Sequence, residues 1–399
     1  MKVSDVQTLQ WKEYERFRYP PGLMSDAVGN AIYYHFRNHI AVEFPTPKTD
    51  GKWEFTPLGW VGTIPVTDSV VITIEPKAPL ENLFRMWEYA YRLKSIKFLD
   101  GIIGCKSLAE FYQNLAGILA NRVLDRTRKG LYRSYLGRED RLPYVSGRLD
   151  VRRMAFEPWC TNFYCAYEEH TADVEENQIL CWTLSVIARS GLCAEHILSK
   201  VRRGYRELVG CTSATPVSPK ACIGRLYNRL NDDYEPLHAL CRFFLEHRGP
   251  THQRGDESMM PFLMDMAHLY ELFVAEWLKL HLPEEYELKA QHTVHFGSSG
   301  ELQFRIDIIM LDRKTGTPLL ILDTKYKIPD SPSNTDIHEV RSYAEALGCK
   351  EAVLVYPSHL SNAINVKAGN IRVRTLTFET DGDLEESGMT FLISLLGAG

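Results

Sequence analysis

Two apolar strands with charges set into them constrain this chain more than any other feature. From Leu302 to Ile328 it reads LQFRIDIIMLDRKTGTPLLILDTKYKI. The run Leu319-Leu320-Ile321-Leu322 shows no alternation, which suits a strand buried on both faces. Such a strand needs sheet neighbours and cover on both sides, so the chain must fold in layers. Yet Asp307 lies inside the first apolar run and Asp323 ends the second. Burying a carboxylate is costly unless something compensates it.

Residues two apart in a strand share a face. Asp323, Lys325 and Lys327 therefore point one way, and Thr324 and Tyr326 the other. On the preceding strand, Arg305, Asp307 and Ile309 share a face. If the turn DRKTGTP closes a hairpin, Asp307 and Asp323 lie side by side. Adjacent carboxylates raise each other's pKa unless a cation sits between them. A hard divalent ion such as Mg²⁺ takes oxygen ligands of this kind. A lysine two residues along the same face reaches the same space, where it orients a water or stabilises charge developing on a phosphate. Fifteen residues separate Asp307 from Asp323, giving the D-(x)n-D-x-K arrangement of metal-dependent nucleases. The alternative is a cross-strand ion pair of Asp307 with Lys325, worth little net energy.

Elsewhere the period of the apolar residues marks the organisation. About residues 1–80 are strand-rich, as in Val70-Val71-Ile72-Thr73-Ile74. NLFRMWEYAYRL then switches to helical spacing, and a second helix over Ser107–Lys129 opens with Ser107 and Glu110 in a capping-box pattern. GLYRSYLGREDRLPYVSGRLDVRR is basic with interleaved tyrosines, and two helical stretches follow, NQILCWTLSVIARSGLCAEHILSKVRRGYREL and YEPLHALCRFFLEH. Breakers in RGPTHQRGDES, residues 248–258, place a boundary there. The last part predicts a helix over Pro261–Leu282, strands at 287–296, 302–311 and 317–327, a helix at 334–347, and strands at 351–357 and 371–378. That order predicts a mixed sheet with helices packed on it. The chain thus reads as α+β, with a β-rich region at 1–99, a mainly helical region at 100–255 and a mixed α/β domain at 256–399. In the helix before the hairpin, Glu271 interrupts the apolar stretch Leu269–Val274. It approaches the carboxylate pair if that helix packs on the sheet, and is otherwise an exposed position on an amphipathic helix.

Several function classes are disfavoured. A formal net charge of −5 gives no global basic signature, so any nucleic-acid contact must come from local patches. The nine cysteines include no CxxC, against a zinc ribbon or thioredoxin-like site, and suit reduced, buried thiols. The polar N-terminus and the lack of an apolar run of about 20 residues predict a cytoplasmic protein. His292 and His295 fall at i and i+3 of a predicted strand, facing opposite ways, and are read as non-ligands; His268 and His338 are isolated. No G-x-x-x-x-G-K-[ST] is present.

Over about residues 58–360 the chain resembles McrC, the nuclease subunit of McrBC modification-dependent restriction systems, in the PD-(D/E)xK superfamily. The resemblance runs in order through LGWVGTIPVTDSVVITIEPK, NLFRMWEYAYRL, GLYRSYLGREDRLPYVSGRLD, CAYEEHTADVEENQILCWTL, FLMDMAHLYELFVAEWL, FRIDIIML, LLILDTKYK and DIHEVRSYAEALGCKEAVLVYP. It implies a PD-(D/E)xK nuclease fold for the C-terminal domain, with Asp307, Asp323 and Glu271 binding Mg²⁺ and Lys325 as the catalytic lysine. Glu339 and Tyr343 fall where the family usually shows a helix Gln and Tyr, and Ile306 replaces the proline before the first acid. The implied activity is that of a type IV restriction endodeoxyribonuclease subunit in phage defence. It cuts modified double-stranded DNA and stimulates an McrB-like AAA+ ring, which binds and hydrolyses the GTP. Residues 1–99 would dock on that ring, with Arg133, Arg138, Arg141 and Arg148 available for contacts. Two other functions fit the same residues: a non-catalytic adaptor of an AAA+ ring with an inactive nuclease fold, and a nuclease that needs no partner.

Overall fold

The computed structural model describes residues 7–67, 70–92, 105–157, 159–249, 252–254, 257–259, 261–296, 302–327 and 329–397. It is a mixed α+β structure in two compact units, Met1–Phe111 with His247–Gly399, and Tyr112–Glu246. The β-rich N-terminal segment and the C-terminal segment thus fall in one unit. The link is a strand: Phe262–Asp265 pairs antiparallel with Trp60–Pro65. Those strands belong to a four-stranded sheet ordered Gln7–Lys12, Val70–Glu75, Trp60–Pro65, Phe262–Asp265. Leu263 is fully buried in the cluster formed by Trp11, Ile32, Phe36, Trp53, Phe55, Ile72 and Ile74.

This pairing corrects the expected start of the next helix. It begins at Met266, not Pro261, because Asp265 ends the strand and caps the helix, accepting from the Ala267 and His268 amides at 2.9 and 3.1 Å. Gly62 permits the close approach of the two strands. It has φ +142°, and a Cβ there would sit 2.2 Å from the Phe262 carbonyl oxygen. Gly62→Ala is therefore expected to destabilise the first unit by about 1–3 kcal/mol, measured by denaturant unfolding.

Three α-helices among the described residues escaped the sequence reading: Asp26–Phe36, the short Val151–Phe156 and Leu384–Leu396. Asp26–Phe36 buries Val28, Gly29, Ile32 and Phe36 within the strand-rich region, and Ser25 caps it. Asp383 caps Leu384–Leu396, accepting from the Glu385 and Glu386 amides.

A second sheet has six strands, ordered Tyr286–Phe296, Leu302–Asp312, Pro318–Thr324, Glu351–Tyr356, Ile371–Thr377, Asn365–Ala368. Its first two joins are antiparallel and the next two parallel, so the sheet is mixed as expected. The helix Asn334–Leu347 makes the crossover between the parallel strands Pro318–Thr324 and Glu351–Tyr356. Its Val340 and Ala344 are buried against Ile306, Ile309, Ile321 and Leu354. Ser333 and Asp336 close a reciprocal capping box at its start, and Gly348, with φ +71°, ends it. The helix Met266–His281 lies against the first three strands of the sheet. The strand expected at 317–327 leaves the ladder earlier, at Thr324, although the Lys325 amide still donates to the Val355 carbonyl at 2.8 Å.

The second unit contains the helices Glu175–Ala188, Glu195–Val209 and Tyr234–Glu246, most of Leu108–Lys129, and a three-stranded sheet. That sheet pairs Ser134–Leu142 and Arg148–Leu149 with Phe163–Thr171, so the basic, tyrosine-rich segment forms strands. The nine cysteines form no disulfide among the described residues; Cys165, Cys181, Cys241 and Cys349 are buried, whereas Cys211 is exposed. Among the described residues no helix is long and apolar enough to cross a membrane.

Candidate active site

The hairpin forms as its turn residues predict. Asp312 and Thr317 close it, with the Asp312 amide donating to the Thr317 carbonyl at 3.0 Å, and Gly316 supplies a left-handed φ of +69°. The register pairs Ile308 with Leu322 and Ile309 with Ile321. One step further along, Asp307 comes level with Asp323.

These two acids line one cavity of about 500 Å³ with Glu271, Lys325, Glu339, Tyr343, Arg305, Thr324, His268 and Asp265. All four residues singled out for chemistry, Asp307, Asp323, Lys325 and Glu271, are therefore brought together. Lys325 Nζ stands 2.8 Å from Asp323 Oδ2 and donates to Glu339 Oε2 at 3.0 Å. The second Glu339 oxygen accepts from the Tyr343 hydroxyl at 2.8 Å. Asp307 Oδ2 accepts from both the amide and the hydroxyl of Thr324, at 2.8 and 2.9 Å. Glu271 comes from the helix Met266–His281 with its side chain only 13% exposed, 3.6 Å from His268 and 3.9 Å from Arg305. The exposed-face alternative for Glu271 is thereby excluded.

The electrostatics follow from this crowding. Burial, then the neighbouring Glu271 charge, pushes the Asp307 carboxyl above its ordinary value. Burial and Asp307 do the same to Asp323. Burial draws the Lys325 ammonium down, but Asp323 and Glu339 outweigh it and hold its pKa above the ordinary lysine value. Burial also disfavours the Glu339 charge, yet Lys325 and Tyr343 keep that carboxyl below its usual range.

Residues 56–357 match the family model described as McrBC 5-methylcytosine restriction system component. The chain belongs to this family. Among solved structures it is similar to a chain in the refined half-complex from a tetradecameric assembly of Thermococcus gammatolerans McrB AAA+ hexamers with bound McrC. That match has 16% identity and a TM-score of 0.53, and covers 98% of this chain and 100% of that one. A chain in the cryo-EM structure of the Thermococcus gammatolerans McrBC complex is 17% identical at a TM-score of 0.45, over 70% of this chain and 89% of that one. No curated protein matches this sequence.

In this McrBC-family chain, the carboxylates Glu271, Asp307, Asp323 and Glu339 offer oxygen ligands at the cavity, the kind a hard divalent cation takes. Two of those oxygens, Glu271 Oε1 and Asp323 Oδ2, are buried without a hydrogen-bond donor. For Asp323 Oδ2 the neighbouring Lys325 ammonium supplies an ion pair off the angle of a hydrogen bond. Buried orphan carboxylate oxygens fit a bound cation in kind. Among the described residues, however, no three His, Cys, Asp or Glu side chains are arranged to enclose an ion. Asp307 is turned to Thr324 and Asp323 to Lys325, so closing around a cation requires those side chains to reorient.

Some contributors were not legible in the sequence. Period-two reasoning sent Thr324 to the far side of the strand, but its amide and hydroxyl reach back to Asp307. His268 was given no role and lies in the cavity wall. Lys327 turns away to Asp336, 2.6 Å distant. His292 is exposed on its strand, and the side chain of His295 lies outside the described residues. Of the four arginines, Arg138 pairs with Glu169 at 3.0 Å, Arg141 meets Glu157 and Tyr164, Arg148 lines a separate cavity of the second unit, and Arg133 is exposed.

Proposed function

We propose that this chain is the Mg²⁺-dependent DNA endonuclease subunit of a McrBC-type restriction complex, with a PD-(D/E)xK site. The observation that carries the reading is the gathering of Asp307, Asp323, Lys325 and Glu271 in one cavity from one helix, two adjacent strands and the residue just past the second strand. Asp307, Asp323 and Glu271 would hold the metal. When bound, the ion supplies Lewis acidity and lowers the pKa of a coordinated water. Lys325, fixed between Asp323 and Glu339, presents a cation to the charge that develops on the scissile phosphate. Glu339 and Tyr343 take the places of the family's usual Gln and Tyr and position that ammonium. Asp265, Glu271, Asp307, Asp323 and Glu339 face the cavity against two permanent cations, Arg305 and Lys325. Such a field repels a phosphate until a divalent cation is bound, so metal and DNA bind in a linked way.

We further propose an McrB-like AAA+ GTPase as partner and modified double-stranded DNA as substrate. The structural neighbour is a chain of McrB AAA+ hexamers with bound McrC, and the family description names 5-methylcytosine restriction. The nucleotide-hydrolysing motif is missing from this sequence, so GTP belongs to the partner. Docking is assigned to residues 1–99 and to the arginine-bearing sheet of the second unit. Near that sheet Tyr135, Tyr144, Phe156 and Trp159 are more than half exposed, a surface suited to a protein partner.

The test is DNA cleavage by the purified chain with Mg²⁺, with and without an McrB-type ring and GTP. Cleavage of methylated DNA only with the ring and GTP is expected. Cleavage without the ring identifies a self-sufficient nuclease. No cleavage under any condition, with GTP hydrolysis still stimulated, identifies an adaptor.

A further inference from the structure

The residue after the candidate lysine is anchored in an unusual way. Tyr326 points away from the cavity and is 8% exposed. Its hydroxyl donates to Glu13 Oε1 at 2.9 Å, and its carbonyl accepts from the Tyr14 hydroxyl at 3.0 Å. Its ring packs on Tyr270, 5.8 Å between centroids, and Tyr270 immediately precedes Glu271. The anchor comes from the turn that leaves the strand Gln7–Lys12. There the Glu13 amide donates to the Glu75 carbonyl at 3.1 Å and the Tyr14 amide to the Pro57 carbonyl at 3.0 Å.

Two costs meet at this turn. Glu13 is fully buried and takes the Lys77 amide at 2.7 Å on the same oxygen, while its Oε2 has no hydrogen-bond partner. Burial pushes its carboxyl above the ordinary value. Tyr14 is held in the left-handed region at φ +59°, which non-glycine residues avoid. Gly59 leaves room for it, since a Cβ there would sit 2.3 Å from Tyr14 Oη. An apolar contact would join these elements without either cost.

The geometry points to Glu13, Tyr14 and Tyr326 as a positioning clamp. It holds the end of the Asp323 strand so that Lys325 stays between Asp323 and Glu339, and ties the N-terminal sheet to the cleavage site. The clamp rests on Lys325 being the catalytic lysine. None of the three residues touches the cavity, so each acts through its neighbour.

Tyr14→Phe, Tyr326→Phe and Glu13→Gln remove a single polar atom or the charge and retain the packing. Two measurements on the full chain test them. Amine acylation mapped by mass spectrometry reads the freedom of Lys325 without DNA, with the exposed Lys367 as internal control. The expected result is a several-fold faster modification of Lys325 and an unchanged rate at Lys367. Steady-state cleavage with the AAA+ partner is expected to show kcat lower by about tenfold, with KM for DNA and GTP hydrolysis unchanged. A merely structural role would lower thermal stability and leave both the Lys325 rate and the kcat of folded protein at wild-type values; that result overturns the clamp. If Lys325→Ala itself cuts at the wild-type rate, the catalytic assignment fails, and the acylation rates alone decide whether the clamp holds the lysine.

Discussion

Lys325→Ala and Asp323→Ala are each expected to lower DNA cleavage by about 10²–10³-fold or more while partner binding and GTP hydrolysis stay intact. The two changes act differently. Loss of Lys325 removes the cation proposed to face the phosphate and leaves Asp323 and Glu339 with their charges opposed. Loss of Asp323 removes an oxygen proposed to bind the metal and frees Lys325 to pair with Glu339 alone. Raising Mg²⁺ is therefore expected to recover part of the activity of Asp323→Ala and none of Lys325→Ala. Both are measured as single-turnover cleavage of methylated DNA with the partner ring, at several Mg²⁺ concentrations. Wild-type rates in either variant would remove the site assignment.

Asp307→Asn is expected to have opposite effects with and without metal. Asp307 is crowded by burial and by Glu271, which push its carboxyl up. A carboxyl raised in the folded state favours folding most when protonated, below its unfolded pKa of about 3.9. That contribution is lost as pH rises through the folded value. The metal-free wild type should therefore lose stability between pH 4 and neutrality, ~1 kcal/mol or more. Asparagine can still accept from the Thr324 amide and hydroxyl and carries no charge, so the variant's profile should be flatter. Mg²⁺ at 100 times its Kd should then add about 2.7 kcal/mol to the wild type and much less to the variant. Urea unfolding at several pH values, with EDTA or with Mg²⁺, measures both. A variant less stable than wild type without metal at neutral pH, or a wild type indifferent to Mg²⁺, would show that the carboxylates are compensated by the protein alone. Both predictions follow from one premise, that the proposed site gives up some stability to hold charge where chemistry needs it.

The hairpin and its two strands were legible because turn chemistry and side-chain alternation are local. Asp312, Gly316 and the run Leu319–Leu322 sufficed to predict them. The crossover helix was expected at 334–347, and the structure places it there, between Ser333 and Gly348. The strand Phe262–Asp265 was not legible. Its residues continue the apolar pattern of the helix after it, and only pairing with Trp60–Pro65 makes them a strand. The same tertiary contact joins sequence segments that composition alone divides.

Within the site, the sequence by itself determined that Asp323 and Lys325 share a face, because side-chain direction along an extended backbone alternates whatever surrounds it. It also made Asp307 their neighbour, through a turn too short to allow much else. Only the tertiary structure decided that Glu271 faces the cavity rather than solvent, that Glu339 rather than water receives the Lys325 ammonium, and that Glu13, more than three hundred residues away, grips Tyr326. Those outcomes depend on how a helix lies on a sheet and how a distant turn meets a strand end, and residue spacing carries no information about either.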